Sequence, residues 1–210
     1  MSPFGRKFVL TAHVTSSVGW LGAVVAFLAL SIAGLTGQDG DVVRGTYLSM
    51  NLMGQFVIVP LSVAALLTGL LQSLTTRWGL FRYYWVVVKL ALTIGATTLL
   101  LLHQFTAVAG AATRVSNIAP GILPDVGQLG TQLVADSGLA VVVLLVTTTL
   151  GVYKPWGRTR YGRRNQSEEM LPATSLPLAL KVFLAIVGAI IVAFLIVHLA
   201  GGGLRHHGSD

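Results

Sequence analysis

The chain alternates between long runs without a charged side chain and short polar segments. Phe8 to Ala33 and Tyr47 to Leu74 carry no acid, lysine or arginine. Tyr83 to Ala109 is broken by Lys89 alone, Ser137 to Tyr153 is uncharged, and Pro177 to Ala200 holds one lysine, Lys181. About 20 apolar residues suffice to cross a bilayer as a helix. The pattern therefore predicts an all-α polytopic bundle of five spans, near 8–33, 47–74, 83–109, 130–153 and 177–200. The first four form the core and the last is a C-terminal addition, all in one integral-membrane domain. Between the runs, residues 34–46 (GLTGQDGDVVRGT) predict a turn-rich loop. Residues 111–135, with Pro120, Gly121, Pro124 and Gly127, predict a loop with an interfacial helix. Pro60 is expected to kink the second span. Gly19, Gly22, Ala23 and Ala26 give the first span small residues for close helix contact. Ser31-Ile32-Ala33 resembles a cleavage site, but the apolar stretch before it exceeds a signal-peptide core, so the first helix is expected to remain.

Composition agrees with this pattern. Hydrophobic residues make up 54% of the 210 and charged residues only 10%, against about 25% charged in soluble domains. The net charge of +7 does not point to nucleic acid, because the basic residues lie in short loops beside apolar runs. With five spans, Arg6, Lys7, Arg77, Arg82, Lys154, Arg158, Arg160, Arg163 and Arg164 fall on one side, and Lys89 and Lys181 lie near it. Arg44, Arg114 and Arg205 fall on the other. The positive-inside bias then puts the amino end and the basic loop 154–176 in the cytoplasm and the carboxyl end outside, in a bacterial cytoplasmic membrane. The partner this names is the lipid bilayer; a homo-oligomer is compatible with it. The chain has no cysteine, which removes disulfides and thiol chemistry.

Ionisable residues inside a span mark candidate sites. Thirteen residues separate Lys89 from His103, which places both on one helical stripe about 21 Å apart. Counting 1.5 Å per residue, His13 and Lys89 lie about 8–9 Å from the cytoplasmic side and suggest one layer. His103, with Asp136 and His198 nearer the edge, suggests a second, outer layer, a candidate metal site. The plainer readings are a snorkelling lysine, histidines satisfied by carbonyls or by Thr11 or Thr15, and an interfacial acid. No HExxH, Walker or GxSxG pattern is present. An imidazole site for haem iron or copper remains open.

Two pieces of the chain resemble the flavin-free bacterial membrane protoporphyrinogen oxidase family. His13, Trp20 and Gly22 stand like its first-helix histidine, tryptophan and glycine, the glycine one place early. Trp85, Lys89 and Leu90 match its Trp-x-x-x-Lys-Leu, with His103 beyond, and Pro60 with Thr68-Gly69 resembles its second helix. The arginine that family carries after the tryptophan is replaced here by Leu28, Ala29 and Leu30. The chain is also similar to the copper-resistance D proteins in helix count and first-helix histidine, and to bacterial integral-membrane proteins sharing the stretch VYKPWGRTRYG. The oxidase resemblance implies a haem b or tetrapyrrole site. In it His13 is the axial ligand, Lys89 a propionate partner, and Trp20 and Trp85 the walls. The alternatives are a small metal or solute transporter using His103, Asp136 and His198, and a non-catalytic scaffold.

Overall fold

A computed structural model describes residues 2–75, 79–154 and 159. Every described element is helical, and four helices are long and apolar enough to cross a membrane: α1 (Pro3–Thr36), α2 (Gly40–Thr75), α3 (Tyr84–Ser116) and α4 (Gly127–Tyr153). The predicted fifth span, 177–200, and the basic loop after Lys154, Thr159 excepted, lie outside the described residues.

The helices outrun the apolar segments because their ends carry good caps. Ser2 accepts a hydrogen bond from the Gly5 amide at 3.2 Å, and Pro3 opens α1, where its missing N–H is not needed. Asp39 accepts from the amides of Asp41 (2.9 Å) and Val42 (3.1 Å), so α2 starts at Gly40. Most of the predicted 34–46 loop is thus helix, and the turn between α1 and α2 is three residues long. A β-carbon on Gly37 in that turn would meet the Val43 side chain at 2.5 Å. Likewise α3 continues through the alanine-rich 109–112 to Ser116, and α4 begins at Gly127. The predicted long connection shrinks to residues 117–126. It is held down by Arg44, which donates to the carbonyls of Ile118 (2.9 Å) and Ser116 (3.3 Å), and by Asp41, which accepts from the Gly121 amide (3.0 Å). Lys154 closes α4 in the left-handed region, φ 48°.

Around the bundle the order is α1, α2, α3, α4, with α4 closing on α1. The core joins Trp20, Val24 and Phe27 of α1 to Tyr47, Met50 and Ile58 of α2 and Leu133 and Leu144 of α4. The outward faces are just as apolar: Val18, Val25, Phe56, Leu102, Val142 and Leu145 are exposed. Helices apolar all round fit a lipid surrounding. The closest helix approaches are not those of Gly19 and Gly22. Gly22 has open space beside it, whereas Gly34 and Gly130 press on Tyr47, where added β-carbons would lie 3.0 Å from its ring and 2.9 Å from its hydroxyl. Ser31 and Ser137 meet at 3.2 Å between α1 and α4.

Both middle helices contain a π-helical turn, Gly54–Ile58 in α2 and Gln104–Val108 in α3. The first lies just before Pro60, which has no N–H to return to the preceding turn, and the widened turn accommodates it. The two turns face each other. There the fully buried Gln104 donates through Nε2 to Asn51 Oδ1 (3.2 Å) and Asn51 O (3.3 Å), while Gln55 donates to the same Asn51 Oδ1 at 3.2 Å.

Candidate functional site

A cavity of about 300 Å³ lies between α3 and α4, floored by Trp20 and Phe27 of α1 and Ile58 of α2. The α3 wall runs from Ala91 to Val108 and the α4 wall from Leu133 to Leu144. Leu99 and Leu139, which line it, are also exposed on the bundle's outer surface, so the cavity is a cleft open to the side. Its surface is apolar except for Gln104, Ser137 and one pair of titratable groups, His103 and Asp136.

His103 Nδ1 lies 3.1 Å from the carbonyl of Leu99, one turn earlier. A carbonyl only accepts, so Nδ1 carries a proton and the ring's second proton position is Nε2. Nε2 lies 2.9 Å from Asp136 Oδ2 and 3.3 Å from the Gln132 side-chain nitrogen. The approach to Asp136 is that of an ion pair and not of an aligned hydrogen bond: Oδ2 is sealed from solvent and satisfied by no other group among the described residues. Two bare lone pairs at 2.9 Å would repel, and one proton between the two atoms would relieve that and leave the pair neutral. The two side chains remain 25% and 32% exposed, so the pair stands at the cleft's open edge.

The pair lies near the middle of the two helices. His103 is three residues beyond the midpoint of α3 and Asp136 four before that of α4, about 5 and 6 Å from the helix centres. Both helices extend further than the apolar runs: α3 runs seven residues past Ala109 and α4 starts three before residue 130. Of the three expected metal ligands, the structure brings His103 and Asp136 together; His198 lies outside the described residues. Among the described residues no three His, Cys, Asp or Glu side chains gather as a metal set.

The inner group divides differently. His13 Nδ1 approaches the Ala65 carbonyl at 3.0 Å and Thr68 Oγ1 at 3.3 Å, both on α2 and neither of them the Thr11 or Thr15 of its own helix. Its ring lies against Gly69, where a β-carbon would come within 2.9 Å of Cε1. Lys89 lies close enough to act on this ring electrostatically, and its Nζ sits 3.3 Å from where a β-carbon on Gly151 of α4 would be. Lys89 and His103 therefore both face α4, as their shared stripe requires. Trp20, two turns beyond His13, lines the α3–α4 cleft instead, and His13, Trp85 and Lys89 do not line that cleft. Sequence reading missed Gln104 and Gln132. The signal for Gln104 was an amide beside His103 in an otherwise apolar run; Gln132 stands one turn before Asp136, in a segment read as a loop.

No protein-family model, curated protein or solved structure matches the chain.

Proposed function

We propose that the protein is an integral membrane protein that admits a small amphipathic molecule into the α3–α4 cleft, with the His103–Asp136 pair as the polar anchor. One observation carries this reading: an apolar cavity of ligand size that ends in an imidazole–carboxylate pair 2.9 Å apart. Pockets of about 300–1,000 Å³ with few, well-placed polar groups are the usual form of small-molecule sites. An ionisable pair among membrane-spanning helices seldom serves packing alone. Solute binding in a transporter is the class of activity this arrangement fits. The orientation belongs to the same proposal. Arg6, Lys7, Arg82 and Lys154 share the end of the bundle that holds the amino terminus, which makes that end cytoplasmic in a bacterial inner membrane.

The test is photolabelling of purified protein with benzophenone, a neutral aromatic ketone that crosslinks to nearby C–H bonds. Crosslinks are expected on residues 91–108 and 133–144. Gly95, which lines the cleft with open space beside it, accepts a larger side chain without a clash, and Gly95→Leu should cut that labelling by about tenfold, roughly 1.4 kcal/mol. Labelling elsewhere, or unchanged labelling in Gly95→Leu, overturns the reading.

A second reading, haem or another tetrapyrrole at His13, has its own supporting observation. With Nδ1 donating to the Ala65 carbonyl, the ring's lone pair is fixed on Nε2, the arrangement that metal-ligating histidines favour. Bound haem would supply redox chemistry; His13 would hold it, and Lys89 would offer a cation to a propionate. Protein purified with ample haem should then show a Soret band that His13→Ala removes. A colourless protein that stays so through haem titration excludes it.

A further inference from the structure

The chemistry of the cleft specifies the charge of its occupant. Resting on the proposed cleft site, we infer that the ligand is a hydrophobic monovalent cation, such as a quaternary or protonated amine on an apolar body, and that it binds in exchange for the proton shared by His103 and Asp136.

Three features converge on a cation. Among the described residues Asp136 is the one acid in the lining, and no lysine or arginine lies there to welcome an anion. Its Oδ2 is turned to His103, while its other carboxylate oxygen makes no hydrogen bond among the described residues and is left for a ligand. The floor is aromatic, Trp20 and Phe27, and aromatic faces attract a desolvated ammonium while tolerating any apolar body. A neutral ligand would leave the pair as it is and gain nothing from the carboxylate, and an anion would find no lysine or arginine among the described lining residues.

The proton follows from the same geometry. The pair is neutral when it holds its shared proton. If a cation enters while that proton stays, a net positive charge is placed near the middle of the helices, which a bilayer strongly opposes. If the proton leaves to water as the cation enters, carboxylate and cation pair and the site stays neutral. His103 keeps its Nδ1–H on Leu99 throughout, and its Nε2 lone pair accepts from Gln132 at 3.3 Å once the proton has gone. Among the described residues no other titratable side chain lines the cleft. From α1 and α2 the facing groups are Trp20, Phe27 and Ile58, from α4 Ser137 and Gln132, and from α3 Gln104. Lys89 is about four turns away along α3, against Gly151. Proton and cation thus compete for one carboxylate.

The experiment compares two photolabels on the full chain in nanodiscs: benzophenone bearing a 4-(trimethylammonio)methyl group and its neutral isostere bearing a 4-neopentyl group. The cationic probe should bind at least about tenfold more tightly at alkaline pH. Its affinity should fall by up to about tenfold per pH unit in the acid range where the pair keeps its proton. Binding in weak buffer should release one proton per cation to an indicator dye. Asp136→Asn should abolish the cation preference while still labelling with the neutral isostere, which shows that the variant is folded and its cleft intact. Equal affinity for the two probes, no proton release, or a cation preference that survives Asp136→Asn each overturns the cation assignment while leaving the cleft reading intact. If neither probe labels the cleft in the unaltered protein, both readings fall.

Discussion

Gln104 of α3 occupies the space that a side chain at Gly54 of α2 would fill: a β-carbon there would overlap the Gln104 amide. The amide is fully buried and spends its N–H groups on Asn51. Glycine at 54 and glutamine at 104 therefore form one unit. Gly54→Ala should destabilise the protein by about 1–3 kcal/mol through overpacking, read as a lower melting temperature in detergent. Gln104→Ala removes the obstructing amide, so adding Gly54→Ala to it should have little further effect. Additive losses in the double variant would show that the two positions act separately.

Tyr47 gives the opposite sign. It is buried between Gly34 and Gly130, and its hydroxyl has no hydrogen-bond partner among the described residues. An unsatisfied buried hydroxyl carries a penalty of about 1–3 kcal/mol. Tyr47→Phe keeps the ring and removes that group, so the melting temperature should hold or rise. A marked fall would mean that the hydroxyl has a partner.

His13 should respond to a change on another helix. Gly69→Ala places a methyl group against its ring and should push Nδ1 from the Ala65 carbonyl. In protein labelled with ¹⁵N-histidine, the His13 Nδ1 resonance should move while that of His103 stays. If both stay, the ring is not held by α2.

Topology is checked from the two ends of the bundle. A cysteine replacing Asp125, in the connection between α3 and α4, should react with an impermeant thiol reagent on intact cells, and one replacing Ser2 should not. The reverse pattern inverts the proposed orientation.

Four of the helices were legible because uncharged runs of span length have few alternatives. Their ends were not, because a polar, glycine-containing segment such as 37–46 reads as a loop until Asp39 is seen to cap a helix within it. The helix ends also set where His103 and Asp136 lie along the bundle: expected in one layer, the two meet at 2.9 Å near the middle of α3 and α4. The polar unit of Asn51, Gln55 and Gln104 was invisible for another reason. It depends on π turns, and a π turn leaves no periodic signature in a run where nearly every position is apolar. Trp20 was expected beside His13 because seven residues put both on one face; the face is wide enough for His13 to meet α2 and Trp20 to look across toward α3.

The paired wide turns also constrain how the chain can change in length. An i→i+5 turn holds one residue more than an α turn, so each advances everything after it by roughly 100°. Losing a single residue within 54–58 would restore a regular helix upstream of Pro60 and swing Asn51 away from Gln104. Losing one within 104–108 would turn the outer third of α3 off the α2 face it packs on. Made together, the two deletions would turn both contact faces away from each other, so neither compensates the other. Single-residue gaps within these two turns are therefore expected to be excluded.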